Sequence, residues 1–337
     1  MIFVTGGSGL IGSYLIPALL ERGLAVRALY REKIPAYVPG ADRVTWLEGD
    51  VRDSGLLREA LAGVTHVFHC AGVVSYAPQD RELLKQVNIE GTAAVVDACL
   101  NQPGVRLCHV SSVAALGGLP ENATSSVLDE SAKWDLNAEH SAYATSKYLG
   151  ELEVWRGISE GLNAVIVNPS VVLGATDWTR SSTRLFRYAH QEHAFYTPGS
   201  VNFVDVRDVV SMMLHLTLDS QASGERYVLS ADSLPLRDFF AQAAACFGKK
   251  PPTVGVPDWA AEIIWRVEHL RGMLTGSRPL ITKDTARASR RPVEYRAAKV
   301  QAATGLQFRP VAETIRWCCA GLAAAPNSVA PGAVVVS

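Results

Sequence analysis

The sequence predicts an α/β protein, a doubly wound parallel sheet followed by a smaller mixed α/β C-terminal lobe. Two observations predict it. Met1-Ile-Phe-Val-Thr is a short apolar, β-rich run, and Gly6-Gly-Ser-Gly9-Leu-Ile-Gly12 follows at once. A helical pattern starts inside the glycine run, at Leu10, Ile11, Tyr14, Leu15, Ala18 and Leu19. Further on, apolar runs alternate with helical patterns as far as about residue 170. Strands separated by helices require right-handed crossovers and so a parallel sheet covered on both faces. Strand, glycine turn and helix in that order is the context in which a glycine-rich loop binds a dinucleotide, and this makes the domain Rossmann-type.

The glycines have separate tasks. Gly6 allows the tight turn, Gly9 lets a pyrophosphate approach the backbone, and Gly12 lets the helix pack on the strand. Unpaired N–H groups and the positive dipole end of that helix then face the phosphates, with Ser8, Leu10 and Ile11 in the same loop. Ala25–Tyr30 reads as the second strand, Val44–Glu48 as the third, Thr65–His69 as the fourth and Val105–Val110 as the fifth. Helical patterns occupy Gly55–Leu61, Leu83–Leu100 and Tyr143–Glu160, and Ala164–Val167 is another buried strand. Residues 1–172 are therefore expected to form the dinucleotide-binding domain, with segments returning to it at about 201–230. Residues 173–322 are expected to form the substrate lobe, with interleaved segments and helices at Leu236–Cys246, Trp259–Met273 and Val311–Leu322. Residues 323–337, rich in small residues and proline, read as a flexible tail.

Bulk composition narrows the function. The chain has 337 residues, 48% hydrophobic and 19% charged, enough for a sizeable core. Its net charge is −1 and its 32 basic residues form no block, so neither nucleic acid nor an anionic membrane surface is an expected partner. No apolar run reaches membrane-spanning length. The first strand begins at Met1, which leaves no room for a secretory leader. The six cysteines show no CxxC spacing and read as buried thiols in a reducing compartment. A cytoplasmic location is the expectation. No histidine has metal-ligand spacing, and no metal is expected.

The second chemical signal is Tyr143-Ala-Thr-Ser-Lys147. A helix places residues four apart on one face, so the Lys147 ammonium can favour ionisation of the Tyr143 phenol. A phenol with a lowered pKa can exchange a proton near neutrality. Ser111-Ser112 ends the fifth strand, one loop earlier, and Ser112 can donate to a substrate oxygen. Between them, Leu119–His140 is a long polar segment of the kind that is usually functional.

With these motifs the chain resembles the extended short-chain dehydrogenase/reductases of the NAD-dependent epimerase/dehydratase superfamily. The resemblance rests on Thr5–Gly12, Gly49-Asp50-Val51, Cys70-Ala71-Gly72, Val87-Asn88-Ile-Glu-Gly91-Thr92, Ser111-Ser112, Tyr143-x-x-x-Lys147, Asn168-Pro169-Ser170-Val-Val172 and Phe203-Val-Asp205-Val-Arg-Asp208-Val, in family order. Tyr295-Arg-Ala-Ala-Lys299, Thr304-Gly305-Leu and Phe308-Arg-Pro310 resemble the closing segment of the dihydroflavonol-reductase-like branch. The resemblance implies that Asp50 and Val51 hold the adenine, and that Ala71 and Gly72 line the cofactor trough beside Ser111. It further implies that Pro169 and Val172 sit by the nicotinamide. It makes Ser112, Tyr143 and Lys147 the catalytic set, Lys147 also binding the ribose. Asn88 would hold the site's geometry or a water, or is simply a buried amide satisfied by backbone.

After the second strand, where an acidic residue selects NAD, the chain reads Tyr30-Arg31-Glu32-Lys33. Arg31 and Lys33 suit a 2′-phosphate, which favours NADP(H), whereas Glu32 turned inward would serve NAD(H). Sugar dehydratases of the superfamily carry an acidic pair after the catalytic hydroxyl, but here Val113 and Ala114 follow Ser112. Val74, Tyr76, Leu116, Trp178 and Phe203 are candidate substrate contacts and favour an apolar or aromatic carbonyl compound. The expected activity is an NADPH-dependent carbonyl reductase or alcohol dehydrogenase. A nucleotide-sugar epimerase with retained NAD is the alternative, with Arg180, Arg184, Arg187 and Arg207 available for a diphosphate, and a non-catalytic NADP(H)-binding sensor is a further one. Helices Leu83–Leu100 and Tyr143–Glu160 could pair in a homodimer or face the sheet.

Overall fold

The structure, a computed structural model, describes residues 1–35, 37–119, 126–176, 178, 182–257, 260 and 293–324. The expected helix at Trp259–Met273, apart from residue 260, Arg180, and the tail beyond residue 324 lie outside the described residues.

In chain order the first half runs β1 (Ile2–Thr5), α1 (Leu10–Glu21), β2 (Val26–Tyr30), β3 (Thr45–Glu48), α2 (Ser54–Ala60), β4 (His66–His69), α3 (Arg81–Leu84), α4 (Gly91–Leu100) and β5 (Arg106–Val110). Then come β6 (Val127–Leu128), α5 (Ala142–Ser159), β7 (Asn163–Pro169) and β8 (Val171–Leu173). Beyond these lie α6 (Thr183–His190), β9 (Phe195–Tyr196), β10 (Ser200–Asp205), α7 (Val206–Leu214), β11 (Glu225–Leu229), β12 (Asp232–Pro235) and α8 (Leu236–Cys246). The last elements are β13 (Val254–Gly255), β14 (Glu294–Tyr295), α9 (Ala298–Thr304) and α10 (Val311–Ala324).

The main sheet has seven parallel strands in the order β11-β7-β5-β4-β1-β2-β3. Strands β1 and β5 are buried along their whole length and β7 is buried after Asn163, as near-continuous apolar runs such as IFVT and NAVIVNP require when helices cover both faces. One face carries α1, α7 and α9 over Leu15, Ile16, Leu19, Val209 and Met213. The other carries α2, α4 and α5 over Leu57, Val95, Val96 and Val154. Strand order reverses between β1 and β4, and the crevice at the carboxyl ends of those strands is where such sheets bind ligands.

The remaining core belongs to the C-terminal part. Phe186, Phe203, Phe239 and Ile315 pack where α6, α8 and α10 meet β8 and β10. Here β10 pairs parallel with β8 and antiparallel with β12. The expected returning region is thus divided, β10 in this small sheet and β11 at the edge of the large one. The single helix expected over Leu83–Leu100 is also divided. A π-helical turn, Lys85–Glu90, separates α3 from α4 and carries Asn88.

Candidate active site

The glycine loop is built as its spacing implies. Gly6 has φ +69°, and a Cβ there would lie 2.5 Å from the Ala71 nitrogen, so the turn after β1 and the segment after β4 touch. A Cβ on Gly12 would run into the Gly6 carbonyl and Gly7, so this glycine keeps α1 against the loop itself rather than against the strand. The N-cap of α1 is Gly9, with no side-chain cap and no acidic residue in the first turn. That helix end keeps its N–H donors and dipole for an anion. Leu10 lies beside Gly174, and Ile11 packs on the sheet core. Tyr37 reaches across the loop to donate to the Ser8 carbonyl oxygen.

At the adenine end, Arg31 and Lys33 are exposed just past β2. Asp50 is engaged by Arg52, Nε to Oδ1 at 2.8 Å and Nη2 to Oδ2 at 3.2 Å. That guanidinium, with a smaller contribution from Arg31, holds the Asp50 carboxyl below the ordinary range. Asp50 thus faces the guanidinium of Arg52, with that of Arg31 further off. The Val51 side chain is spent on the core beneath Gly91.

The expected catalytic groups meet at the far end of the trough. Tyr143 is 8% exposed on the first turn of α5, and Ser112 follows β5 as the cap of a short 3₁₀ turn, Val113–Leu116. The Ser112 hydroxyl accepts from the Ala114 N–H at 3.2 Å and lies near enough to the Tyr143 phenol to oppose the rise in its pKa. Lys147 is 5% exposed and donates to the Val110 carbonyl oxygen at 2.9 Å. Gly72 lies beside it, where an added Cβ would be 3.6 Å from the Lys147 Nζ. Pro169 is buried at the end of β7, and Val172, half-buried in β8, is four residues beyond the Asn168 amide that donates to the Ser112 carbonyl oxygen at 3.1 Å.

Several expectations need correction. Burial raises the Tyr143 pKa, opposed by the nearby Ser112 hydroxyl, whereas a lowered value was expected from Lys147. The reason is geometric: the Lys147 head turns to β5 and is itself desolvated, which brings its pKa down to about 8. Asn88 is the buried amide holding the site's geometry, one of the readings made for it. Its Oδ1 accepts from the Val73 N–H at 2.8 Å, and its Nδ2 donates to the Val73 carbonyl and the Ser146 hydroxyl, each at 2.9 Å. It holds the trough segment to α5. Ser111 turns away from the trough and donates to Glu151 at 2.7 Å. Leu116 and Phe203 are 1% and 0% exposed and belong to the cores, and Trp178 packs against His190 and Phe247. Of the five candidate substrate contacts, Val74 and Tyr76 stand exposed, and the Tyr76 ring meets the Tyr143 ring edge-on at 5.5 Å. Cys246 is exposed rather than buried.

Sequence reasoning missed three groups behind the site: Glu151, the Asn168 amide and Arg226. Glu151 was findable, one helical turn after Lys147 on the face that carries Tyr143. Sequence reasoning also missed an aromatic stack. Trp134 lies between His140 and Tyr148 at 3.7 and 4.2 Å, fixing the polar loop to α5.

Comparisons with known proteins agree with this geometry. The model of the NAD dependent epimerase/dehydratase family matches residues 2–230. A Synechocystis protein provisionally named dihydroflavonol 4-reductase is 30% identical over 94% of this chain and 93% of its own. Cinnamoyl-CoA reductase 1 of Oryza sativa subsp. japonica is 28% identical over 77% of this chain and 79% of its own. Among solved structures, that of gox2253 superposes with a TM-score of 0.80 at 29% identity, covering 95% of this chain and 97% of that one. UDP-glucose 4-epimerase of Thermotoga maritima shares the fold, with a TM-score of 0.75 at 16% identity over 95% of this chain and 97% of its own.

Proposed function

The chain belongs to the NAD-dependent epimerase/dehydratase family, and from that membership and its site we propose an NADP(H)-dependent carbonyl reductase acting on an apolar or aromatic ketone or aldehyde. The observation that carries the reading is the buried Tyr143 phenol beside the Ser112 hydroxyl, with Lys147 one turn further along the same helix. The chain's own surfaces fit the cofactor. Gly6 and Gly12 let the loop close tightly on the Ala71 segment and on α1, and the uncapped start of α1 at Gly9 supplies donors for a pyrophosphate. Arg31 and Lys33 suit a 2′-phosphate, and the groove at Gly72 passes beside Lys147, where a ribose hydroxyl would be held.

The nicotinamide, when bound, supplies or accepts the hydride. The protein handles the oxygen. Ser112 donates a hydrogen bond to the carbonyl oxygen and polarises it. Tyr143 gives its phenolic proton to that oxygen as negative charge develops there. Lys147, one turn further along α5, holds the ribose beside that phenol. Val74 and Tyr76, exposed beside Tyr143, supply apolar contact. Relatives named as reductases of aromatic compounds support this substrate class.

A nucleotide-sugar epimerase would need cations for a diphosphate. Arg207 is not offered for that. It is paired with Asp205 at 2.6 Å and lies 3.9 Å over the Trp317 ring. The deciding experiment is to denature the purified protein and assay the released nicotinamide cofactor, then to test a panel of ketones and aldehydes. A site that prefers added NADPH to NADH and turns over carbonyl compounds supports the reductase. Stoichiometric retained NAD overturns it in favour of the epimerase. Tight NADPH binding without turnover across the panel overturns it in favour of a sensor.

A further inference from the structure

Glu151 is 1% exposed on α5, one turn beyond Lys147, and no step of the proposed reaction uses it. Four donors converge on its carboxylate. Ser111 Oγ and Asn168 Nδ2 donate to Oε2, each at 2.7 Å. Arg226 Nη1 and Trp155 Nε1 donate to Oε1 at 3.0 and 3.2 Å. Two of these donors lead to the reacting groups. Ser111 precedes Ser112, and the Asn168 amide that meets Glu151 also donates to the Ser112 carbonyl oxygen at 3.1 Å. Lys147 grips the preceding residue through the Val110 carbonyl at 2.9 Å. The strand end Val110-Ser111-Ser112 is therefore clamped to α5 by Lys147 and Glu151 together.

Resting on the roles proposed above for Ser112, Tyr143 and Lys147, we infer that Glu151 is a positioning residue. Its carboxylate holds the Ser112 strand end against α5 and supplies the negative charge that keeps Lys147 an ammonium.

The electrostatics of the cluster support this. A buried ammonium without a counter-charge is driven neutral. Burial brings Lys147 down to about 8, and Glu151 is the larger of the two influences opposing it, ahead of Cys70. The other groups facing Lys147 carry no charge at neutral pH. Burial keeps His69 on β4 and His109 on β5 neutral and raises the Cys70 thiol and the Tyr143 phenol. Arg226 on β11 meets Glu151 from behind, and it also donates to the Glu130 and Ala132 carbonyls, each at 2.7 Å through Nη2. The polar loop before α5 is thereby tied into the same cluster.

Glu151→Gln keeps the size and removes the charge. The Lys147 titration can be followed in cofactor-free protein by the carbon-13 shift of its ε-carbon, assigned by loss of the signal in Lys147→Met. The midpoint is expected to fall by about one unit in Glu151→Gln, and the alkaline limb of kcat/KM to fall with it. Glu151→Asp is expected to restore the midpoint. A midpoint unmoved in Glu151→Gln overturns the inference whatever happens to turnover. Absence of turnover in the parent protein counts instead against the reductase reading, since the titration needs no cofactor or substrate. Should Glu151→Gln fail to fold, Arg226→Met reads the same field with the opposite sign. It leaves the Glu151 charge undivided, so the Lys147 midpoint rises, and an unmoved or lowered midpoint overturns the inference.

Discussion

At the residue scale, the proposed acid is assembled by burial as much as by charge. Tyr143 is held protonated in the free protein by desolvation, and it becomes a proton donor when an oxygen in front of it gains negative charge. Tyr143→Phe removes that proton and keeps the ring against Tyr76. Turnover is expected to fall by about 10²- to 10⁴-fold, with NADPH affinity, read by fluorescence titration, nearly unchanged. Equal loss of binding and turnover would contradict the role. Arg31 carries the cofactor prediction. A charge-assisted contact to a 2′-phosphate contributes about 1.5–3 kcal/mol, so Arg31→Ala is expected to weaken NADPH about 10- to 100-fold and NADH much less. An unchanged ratio of the two dissociation constants would remove the 2′-phosphate argument. Ser112, Tyr143 and Lys147 were readable in the sequence because a helix repeat and a strand end are local patterns. The direction of the Tyr143 shift was not, because it depends on the Lys147 head choosing the Val110 carbonyl, a contact 37 residues away.

At the scale of elements, α5 is the part on which the site depends, and its packing is set by glycine. A Cβ on Gly150 would collide with the Asn88 carbonyl, and one on Gly157 would lie 2.6 Å from Val96. These two positions let α5 lie close against the π-turn and α4, which brings Ser146 within 2.9 Å of the Asn88 amide. Gly150→Ala gains helix propensity but forces the helices apart, and overpacking of this kind costs about 1–3 kcal/mol. Urea unfolding should show the loss, together with reduced kcat as Tyr143 and Lys147 shift. A variant as stable as the parent would show that the contact yields easily. The strand-helix alternation through β7 and the helix α8 were legible because periodicity records which face is buried. The π-turn was not. An extra residue in a helix leaves the apolar pattern of Leu83–Leu100 nearly intact, and only the hydrogen bonds of Asn88 with Val73 and Ser146 reveal its use.

At the scale of the whole molecule, two histidines in the middle of the sheet couple folding to pH. His69 on β4 and His109 on β5 are 0% and 1% exposed, with ring centroids 5.1 Å apart. Their position places them in strands buried on both faces, where a charged imidazole has no water. Burial lowers His69 to about 3 and His109 well below its ordinary value. An unfolded chain takes up protons on both below about pH 6.5, while the native protein does not, so the stability these rings contribute is complete above 6.5 and is lost as pH falls toward the folded values. At about 1.4 kcal/mol per pH unit, His69 alone costs about 2 kcal/mol between pH 6.5 and 5, and His109 adds in the same direction, a large share of the stability of an ordinary domain. His109 is the better site for a test, since neither ring nitrogen has a hydrogen-bond partner among the described residues, whereas His69 is held by Thr5 and Thr92 at 2.7 and 3.0 Å. His109→Phe therefore loses no bond. Its unfolding free energy, measured in urea between pH 7 and 5, is expected to fall less steeply than the parent's. A slope equal to the parent's would mean that His109 takes up its proton in the native sheet, and that the acid sensitivity of this fold originates elsewhere.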